Sequence, residues 1–307
     1  MREKILIILG DSVGRFVQAS GAVKDIRQHH KNAHITLLTS ENMYHLAYLN
    51  PHINQVSIAP RICWWHLPRL WVFRRFLKQF NAVYDLQHDA QSHIMARLAS
   101  GKGWCGTARN CQYVIRHEVL NHYPVPEALH VQLNSAGLQN LSRPDVSYLD
   151  DNKAEETLQA HNLAPHSYIV LLPGSRRSQQ HRRWPHFKAL AASLQSHGQN
   201  VVIAGGEDEE KLVHQLAQDL DAPLLYNLSF TALAHIFRHA RCVIGNDNGP
   251  FHLASACGTE GVMLYGPDAH TQPPNLPHID VLQHRESLHR ISVETVLNIL
   301  ERQKKNA

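Results

Sequence analysis

The chain alternates short apolar runs with longer stretches of helical periodicity. In its first part, residues 4–9 and 33–39 are short apolar segments, and residues 16–29 between them show the apolar spacing of a helix. Residues 55–59 form a further strand candidate. Strands that alternate with helices of this length are typical of a parallel sheet whose two faces are both covered by helices.

The same alternation returns in the second half of the chain, where it is more regular. The hydropathy pattern predicts four strands, at residues 168–172, 200–204, 242–245 and 262–265. It also predicts four helices, at residues 184–196, 212–220, 232–239 and 292–304. Ser292 is the expected N-cap of the last helix, because serine at that position can bond a free backbone amide.

The alternation weakens between residues 100 and 150. Three prolines and a polar run interrupt it, at Pro124, Pro126, Pro144 and residues 150–152. We place a domain boundary there. The sequence therefore predicts an α/β protein of two Rossmann-like domains that face a cleft, residues 1–150 and 151–285. A C-terminal helical segment, residues 286–307, is expected to pack back on the first domain.

Composition narrows the class of protein. With 43% hydrophobic residues among 307, the chain is globular rather than disordered or fibrous. No apolar run reaches the roughly 18 residues of a membrane-spanning helix. A signal-peptide cleavage site is not recognisable, so we expect a cytoplasmic protein. Five cysteines without a CxxC pair predict reduced thiols, at Cys63, Cys105, Cys111, Cys242 and Cys257.

The net charge of +4 at pH 7 is mild and is compatible with anionic substrates or a membrane surface. Basic residues are interleaved with acidic ones and form no recognised nucleic-acid-binding module, so a nucleic-acid partner is not expected. Among the 24 histidines, His117 and His122 flank Glu118 in a pattern that resembles a zinc motif. The two histidines are five residues apart, not three or four, and we therefore predict no metal site.

The segment from Val243 to Ala256 is the most informative one. An apolar strand runs into the polar turn Asn246-Asp247-Asn248-Gly249, and a helix of small residues follows. In open α/β sheets, ligands bind at such turns, and a glycine lets the backbone approach the ligand. Free amides at the helix start favour a phosphate, and His252 lies one turn further on. The alternative is an ordinary turn in which Asp247 and Asn248 cap the helix.

A second polar segment follows another predicted strand end. Pro173-Gly174-Ser175 leads into residues 176–183, which contain four arginines, and Trp184-Pro185 opens the next helix. Guanidinium groups and a serine hydroxyl are suitable donors to phosphate oxygens. A solvated basic loop is the alternative. Together the two segments predict a site that binds a diphosphate.

At these motifs the sequence resembles glycosyltransferase family 9, the heptosyltransferase-like enzymes of lipopolysaccharide assembly. The family's PGS loop, its basic residue before Trp-Pro, its acidic residues after Gly-Gly and its D-[TSN]-G-x-x-H-x-x-A turn all occur here in order. They correspond to Gly174 and Ser175, Arg182, Gly205-Gly206-Glu207 through Glu209, and Asp247-Asn248-Gly249 with His252. Residues 262–267 match the family's V-x-L-[FY]-G-P strand end.

The resemblance implies a GT-B fold whose second domain binds the donor. By position, Ser175 and Arg182 would meet a diphosphate, and Asp247, Asn248, Gly249 and His252 would line a nucleotide-sugar pocket. Either Glu207 or Glu209 would accept hydrogen bonds from the ribose. The implied reaction is an inverting transfer of a heptose-like sugar from a nucleotide-diphosphate donor to a lipopolysaccharide-type saccharide. It would need no metal and no cofactor. A catalytically impaired relative that binds a nucleotide sugar or glycolipid as a scaffold is the alternative.

The family's first loop ends in Gly-Asp, and its aspartate is the proposed general base. Matching the dipeptide selects Gly10-Asp11, which makes Asp11 the catalytic candidate. An alignment without gaps instead places Gly14-Arg15 there, and an arginine cannot accept a proton. In that case Asp11 serves from a shifted position, the base lies elsewhere, or activity is lost.

Residues 69–80 alternate basic and aromatic side chains. A helix of this kind can lie on an anionic lipid surface, which predicts peripheral contact with the inner membrane. The alternative is a core helix whose arginine head groups reach the solvent.

Overall fold

The computed structural model of the protein describes residues 2–10, 12–60, 67–140, 142–151, 154–175, 177–266, 272–276, 278–284 and 286–306. The chain divides into two compact units, Met1–Tyr148 and Leu149–Ala307. Each unit contains one six-stranded sheet, and the strand pairings in both sheets are parallel. These two units confirm the α/β class that the alternation predicts.

The first unit has six strands, β1 (Lys4–Ile8), β2 (His34–Thr39), β3 (Gln55–Ile58), β4 (Ala82–Asp85), β5 (Trp104–Gly106) and β6 (Tyr113–Val114). Its described helices are α1 (Val13–Gln18), α2 (Ser20–His29), α3 (Tyr44–Tyr48), α4 (Leu67–Leu77), α5 (Ala90–Ala99), α6 (His117–Leu120) and α7 (Val125–Ser135). The sheet order is β3-β2-β1-β4-β5-β6. The strand order therefore reverses between β1 and β4, the kind of point at which open sheets bind ligands.

The second unit repeats this plan. Its strands are β7 (Tyr168–Leu172), β8 (Asn200–Gly205), β9 (Leu224–Tyr226), β10 (Cys242–Asn246), β11 (Gly261–Tyr265) and β12 (Ile279–Gln283). Its described helices are α8 (Ala154–Ala160), α9 (Phe187–Ser196), α10 (Glu210–Leu220), α11 (Phe230–His239), α12 (Gly249–Ala256) and α13 (Val293–Asn306). The sheet order is β12-β11-β10-β7-β8-β9, so the reversal lies between β7 and β10.

The central strands are buried along their whole length. In β7, β10 and β11 all five residues are buried. Because helices cover both faces of a parallel sheet, such strands read as continuous apolar runs rather than as alternating ones. This is why the hydropathy pattern finds them within one residue of their observed ends.

The helix expected at residues 16–29 is divided into α1 and α2 at Ala19. Ser20 donates from its hydroxyl to the carbonyl oxygen of Val17 at 2.7 Å. Just beyond the break, a Cβ on Gly21 would lie 2.2 Å from the carbonyl oxygen of Ser142. The backbone of residues 142–143 therefore packs directly on α2, and only glycine permits that approach.

The last helix, α13, packs in the core of the second unit. Val296 and Leu300, which are one helical turn apart, are buried there in one cluster with Trp184 and Ile291. The indole nitrogen of Trp184 donates to the carbonyl oxygen of Ile291 at 2.9 Å. That residues 286–307 also pack on the first domain stays a prediction. The apolar face of α13 is used within its own unit. Ser292 accepts a hydrogen bond from the amide of Thr295 at 3.1 Å, which confirms it as the N-cap.

Two other expectations concern cysteines and membrane spans. Four described cysteines are free thiols, Cys105, Cys111, Cys242 and Cys257, and burial raises the pKa of each thiol. Cys63 lies outside the described residues. Within the described part of the chain, every helix is too short or too polar to cross a lipid bilayer.

Candidate functional site

Three adjacent strand ends carry the polar motifs of the second unit. β10, β7 and β8 are neighbours in a parallel sheet, so the loops that follow them emerge side by side at one edge. Asn248 in the first loop donates from Nδ2 to the carbonyl oxygen of Gly174 in the second at 3.0 Å. The two segments that the sequence singles out are thus in direct contact.

Asn246, the last residue of β10, connects the strand end to the two loops through its side chain. Its side chain is buried and donates to the carbonyl oxygen of Pro173 at 2.8 Å and to that of Gly174 at 3.3 Å. Its Oδ1 accepts from the amide of Trp184 at 3.0 Å. This role of Asn246 is not among the sequence-based predictions. An asparagine at the buried end of an apolar strand is the signal, because a buried amide needs partners.

The turn after β10 is both a helix cap and a ligand-type turn. Asn248 accepts from the amide of Phe251 at 2.9 Å and so caps α12, which starts at Gly249. Oδ1 of Asp247, the residue before this cap, lies 2.9 Å from Nε2 of His252. Asp247 and His252 therefore form one polar pair beside the start of α12.

Arg183, the neighbour of the arginine that the family motif indicates, contacts the buried Ser175. Arg183 donates from Nε to Oγ of Ser175 at 3.0 Å and from Nη2 to its carbonyl oxygen at 3.2 Å. Arg182 ends a 3-10 helix, Arg177–Arg182, and its side-chain carbons lie beside Gly266 at the end of β11. The two consecutive arginines thus face two different strand ends.

The two acidic candidates after Gly206 differ in their surroundings. Glu209 is half-buried and accepts from the amide of Gly206 at 3.3 Å, and burial raises the pKa of its carboxyl. A Cβ on Gly174 would lie 2.5 Å from its Cγ, so the glycine makes room for this side chain. Glu207 is exposed and accepts from Asn227 at 3.3 Å. The structure brings Glu209, and not Glu207, against the PGS loop.

A cavity of about 140 Å³ lies between these loops. Its lining includes the backbone of Gly174 and Gly206 and the polar side chains of Glu209, Asn227 and Asn248. The apolar lining includes Leu228, Phe230 and Leu233 from the β9–α11 connection. Sequence reasoning missed this connection because the three-residue strand β9 is too short to be recognised by pattern. A cavity this small, compared with the ~300–1,000 Å³ of ordinary ligand sites, holds a base or a ribose and not a whole nucleotide sugar.

The first unit presents a different site at the ends of β1 and β4. Asp11 lies outside the described residues. Ser12 caps α1, and Arg15 follows in the first turn of that helix. The guanidinium of Arg15 contacts the β4–α5 loop, at the carbonyl oxygen of Leu86 and at the ring of His88. The alignment without gaps thus corresponds to an arginine at the switch point of the sheet.

The acidic residues of the same loop have structural partners. Asp85 is fully buried, and its carboxylate accepts from the amides of Gln87 and His88 and from the hydroxyl of Ser92. Burial raises the pKa of this carboxyl. Asp89 accepts from the amide of Ser92 at 2.7 Å and caps α5. Both carboxylates are therefore committed to the loop.

The sequence model of the glycosyltransferase family 9 (heptosyltransferase) matches residues 70–296 of the chain. The chain belongs to glycosyltransferase family 9. The match includes all of the second unit's strands and the three joined loops of that unit. It begins within α4, so the β1–α1 loop with Asp11 and Arg15 lies outside it. The family assignment therefore rests mainly on the unit that carries the three joined loops.

Curated heptosyltransferases resemble the chain, one along most of its length and another over about a third of it. It is 23% identical to the lipooligosaccharide heptosyltransferase 2 of Haemophilus ducreyi, over 89% of this chain and 86% of that protein. It is 31% identical to a lipopolysaccharide heptosyltransferase 3 of Escherichia coli, over 34% of this chain and only 32% of that one.

Two solved structures of this glycosyltransferase family have the same fold. The family 9 glycosyl transferase of Veillonella parvula superposes with a TM-score of 0.84 at 18% identity, covering 99% of this chain and 98% of that one. The ADP-heptose LPS heptosyltransferase II of E. coli superposes with a TM-score of 0.77 at 20% identity, covering 99% and 100%. The GT-B fold that the motifs imply is thus confirmed.

Proposed function

We propose that this family 9 glycosyltransferase transfers a heptose from a nucleotide-diphosphate donor to a saccharide of the lipopolysaccharide core. The observation that carries the proposal is the hydrogen bond between Asn248 and Gly174, which joins two ligand-type loops at a strand-order reversal. The names of the relatives support ADP-heptose as the donor and a lipopolysaccharide-type acceptor. The reaction then takes place at the cytoplasmic side of the inner membrane, where nucleotide sugars are available.

The donor is proposed to bind through its diphosphate and through its ribose. Ser175, Arg182 and the amide of Gly249 at the start of α12 meet the diphosphate, because a helix N-terminus and a guanidinium both favour phosphate oxygens. The cavity takes the ribose, whose hydroxyls donate to the carboxylate of Glu209. Its position in the cavity lining favours it over Glu207. The Asp247–His252 pair lines the sugar side.

The proposed step is an inverting displacement. The acceptor hydroxyl forms a bond to the anomeric carbon while the bond from that carbon to the diphosphate oxygen breaks. Negative charge develops on the leaving diphosphate, and the fixed donors of the second unit stabilise it in place of a metal ion. Asp11 is proposed to take the proton of the hydroxyl as general base.

Arg15 favours a second candidate function. If the alignment without gaps is the functional one, an arginine occupies the place of the base, and the chain binds the nucleotide sugar or a glycolipid without transferring the sugar. The two candidates make the same prediction for donor binding and opposite predictions for transfer.

The test mixes the purified chain with ADP-heptose and core-truncated lipopolysaccharide in the presence of EDTA. Acceptor-dependent release of ADP, with a mass increase of one heptose in the acceptor, is expected. Binding of ADP-heptose without release for any truncated core would favour the scaffold. Absence of binding would overturn both candidates.

Contact with the inner membrane is proposed through α4 and the residues just after it. Phe73 and Leu77 are buried in the core of the first unit, whereas Trp71 and Val72 are each 62% exposed. The exposed face also carries Arg69, Arg74, Arg75 and Lys78. A helix with an exposed tryptophan among cations is suited to an anionic lipid surface.

An apolar groove of about 510 Å³ runs beside this helix and adds to the apolar surface. The check is co-sedimentation with vesicles that contain phosphatidylglycerol, compared with vesicles of phosphatidylcholine alone. Arg74→Glu with Arg75→Glu should abolish the binding. Retention of binding in that variant would argue against the membrane role of α4.

A further inference from the structure

A network of hydrogen bonds holds the side chain of Arg15, and the donor and the acceptor in each bond can be identified. Arg15 donates from Nε to the carbonyl oxygen of Leu86 and from Nη2 to Nδ1 of His88, both at 2.9 Å. Because a guanidinium can only donate, Nδ1 of His88 must accept and carries no proton. The proton of the neutral ring is therefore on Nε2.

Gln132 is the next residue in this hydrogen-bond network and fixes the orientation of His88. Its Nε2 donates to the carbonyl oxygen of Asp85 at 2.7 Å and to that of Cys105 at 3.2 Å. Its Oε1 must then face His88 and accept from Nε2–H of the ring. His88 is held in a left-handed backbone conformation, with φ 62°, which few side chains adopt without cause. Together, His88 and Gln132 orient the guanidinium of Arg15.

The protonation states of His88 and Arg15 in this network also follow from their surroundings. Burial and the neighbouring Arg15 lower the pKa of His88 to about 3, so its ring is neutral at pH 7. Burial lowers the pKa of Arg15 to about 10, while the nearby Asp85 opposes that shift. Arg15 therefore keeps its full charge at neutral pH. Asp85 is a nearby carboxylate, and among the described residues no hydrogen bond joins it to Arg15.

A comparison with Arg27 in the same unit shows what is unusual. Arg27 uses all three guanidinium nitrogens, on the carbonyl oxygens of His52, His30 and Ala33 and on the side chain of Asn54. It lies at the amino-terminal edge of the sheet, where β2 and β3 begin. Arg15 lies at the carboxyl-terminal edge, and its Nη1 has no hydrogen-bond partner in the described part of the chain.

We propose that Arg15 binds an anionic group of the acceptor saccharide, a carboxylate or a phosphate, and so selects acceptors that carry one. The inference rests on the proposed function, because it names the chemistry of the second substrate. A guanidinium is suited to both anions and is unsuited to proton abstraction. His88 and Gln132 act through Arg15 and are positioning residues.

The experiment follows the Nε–H signal of Arg15 by nuclear magnetic resonance in the full chain, assigned by its loss in Arg15→Gln. Inorganic phosphate and acetate are titrated separately. Arg15 is expected to shift saturably with one of them, whereas the signal of Arg27 stays in place. The anion that binds more tightly identifies the class of acceptor group. No shift at Arg15, or equal shifts at both arginines, would overturn the inference.

Donor binding is measured on the same samples with ADP. Binding of ADP without a response of Arg15 to either anion would remove this inference alone, and a failure of ADP to bind would remove the proposed function as well. In the transfer assay, Arg15→Gln should raise the KM for the acceptor at least tenfold with a smaller change in kcat. Arg15→Lys should recover part of the loss. A purely structural role would instead lower the melting temperature and leave KM unchanged.

Discussion

Asn248 uses the two ends of its amide for two different tasks: Oδ1 caps α12, and Nδ2 bonds to the carbonyl oxygen of Gly174 at 3.0 Å. The first bond stabilises the helix, and the second fixes the distance between the loops that are proposed to hold the diphosphate. Because the two tasks belong to different atoms, substitutions can separate them.

Asn248→Asp should retain the cap and lose the link between the loops, because aspartate is an equally good N-cap but cannot donate. Asn248→Ala loses both and should cost about 1 kcal/mol of stability. Thermal unfolding and calorimetric titration with ADP measure the two effects. We expect a near-normal melting temperature and weakened ADP binding for Asn248→Asp. Unchanged ADP affinity in both variants would contradict the role of the link.

Gly174→Ala should displace Glu209 from the cavity, since the new Cβ would lie 2.5 Å from its Cγ. The expected result is at least a tenfold loss of affinity for ADP in a folded protein. Gly206→Ala is the matched control, because a Cβ there would meet only the Glu209 carboxylate at 3.8 Å, an ordinary contact. Equal effects of the two substitutions would show that Gly174 has no special relation to Glu209.

Glu209→Gln should stabilise the unliganded protein at pH 7 more than at pH 4. Burial raises the pKa of Glu209 above its unfolded value, so ionisation of this side chain opposes folding as the pH rises through that interval. The difference in melting temperature between variant and wild type, measured at both pH values, checks the sign. Glu207→Gln, at an exposed position, is measured in parallel as the control.

Ser175 and Arg183 should be energetically coupled. The Arg183 side chain donates to both the hydroxyl and the carbonyl oxygen of Ser175, and a hydrogen bond to a charged group contributes about 1.5–3 kcal/mol. A double-mutant cycle of Ser175→Ala and Arg183→Gln, followed by denaturant unfolding, should give a coupling of about 1 kcal/mol or more. Additive effects would mean that this contact does not stabilise the loop.

Much of the second unit can be predicted from its sequence, and the physical reason is burial. Strands covered on both faces, such as β7 and β10, are continuous apolar runs, and their carboxyl ends are marked by polar residues and glycine. The position of Glu209 against Gly174 could not be derived in this way. It depends on a close approach between two loops that are distant in sequence.

Other details depend on local geometry that composition does not specify. Arg182 is the last residue of the 3-10 helix Arg177–Arg182 and Arg183 follows it, and the rotation per residue in such a helix differs from that of an α-helix. The sequence therefore does not reveal which of the two arginines faces Ser175. The division between α1 and α2 at Ala19 is equally invisible, because the residues on both sides keep helical periodicity. The conformation of His88 follows from its partners and not from its own preference.

Trp184 links the C-terminal segment to the ligand-type loops, although the two are distant in sequence. The same residue donates from its backbone to Asn246 beneath the paired loops and from its ring to Ile291, just ahead of α13. A chain truncated before Ile291 would keep every residue that lines the cavity and still lose the support beneath it. The C-terminal segment therefore supports the loops that line the cavity, and a deletion that removes Ile291 is expected to disturb them.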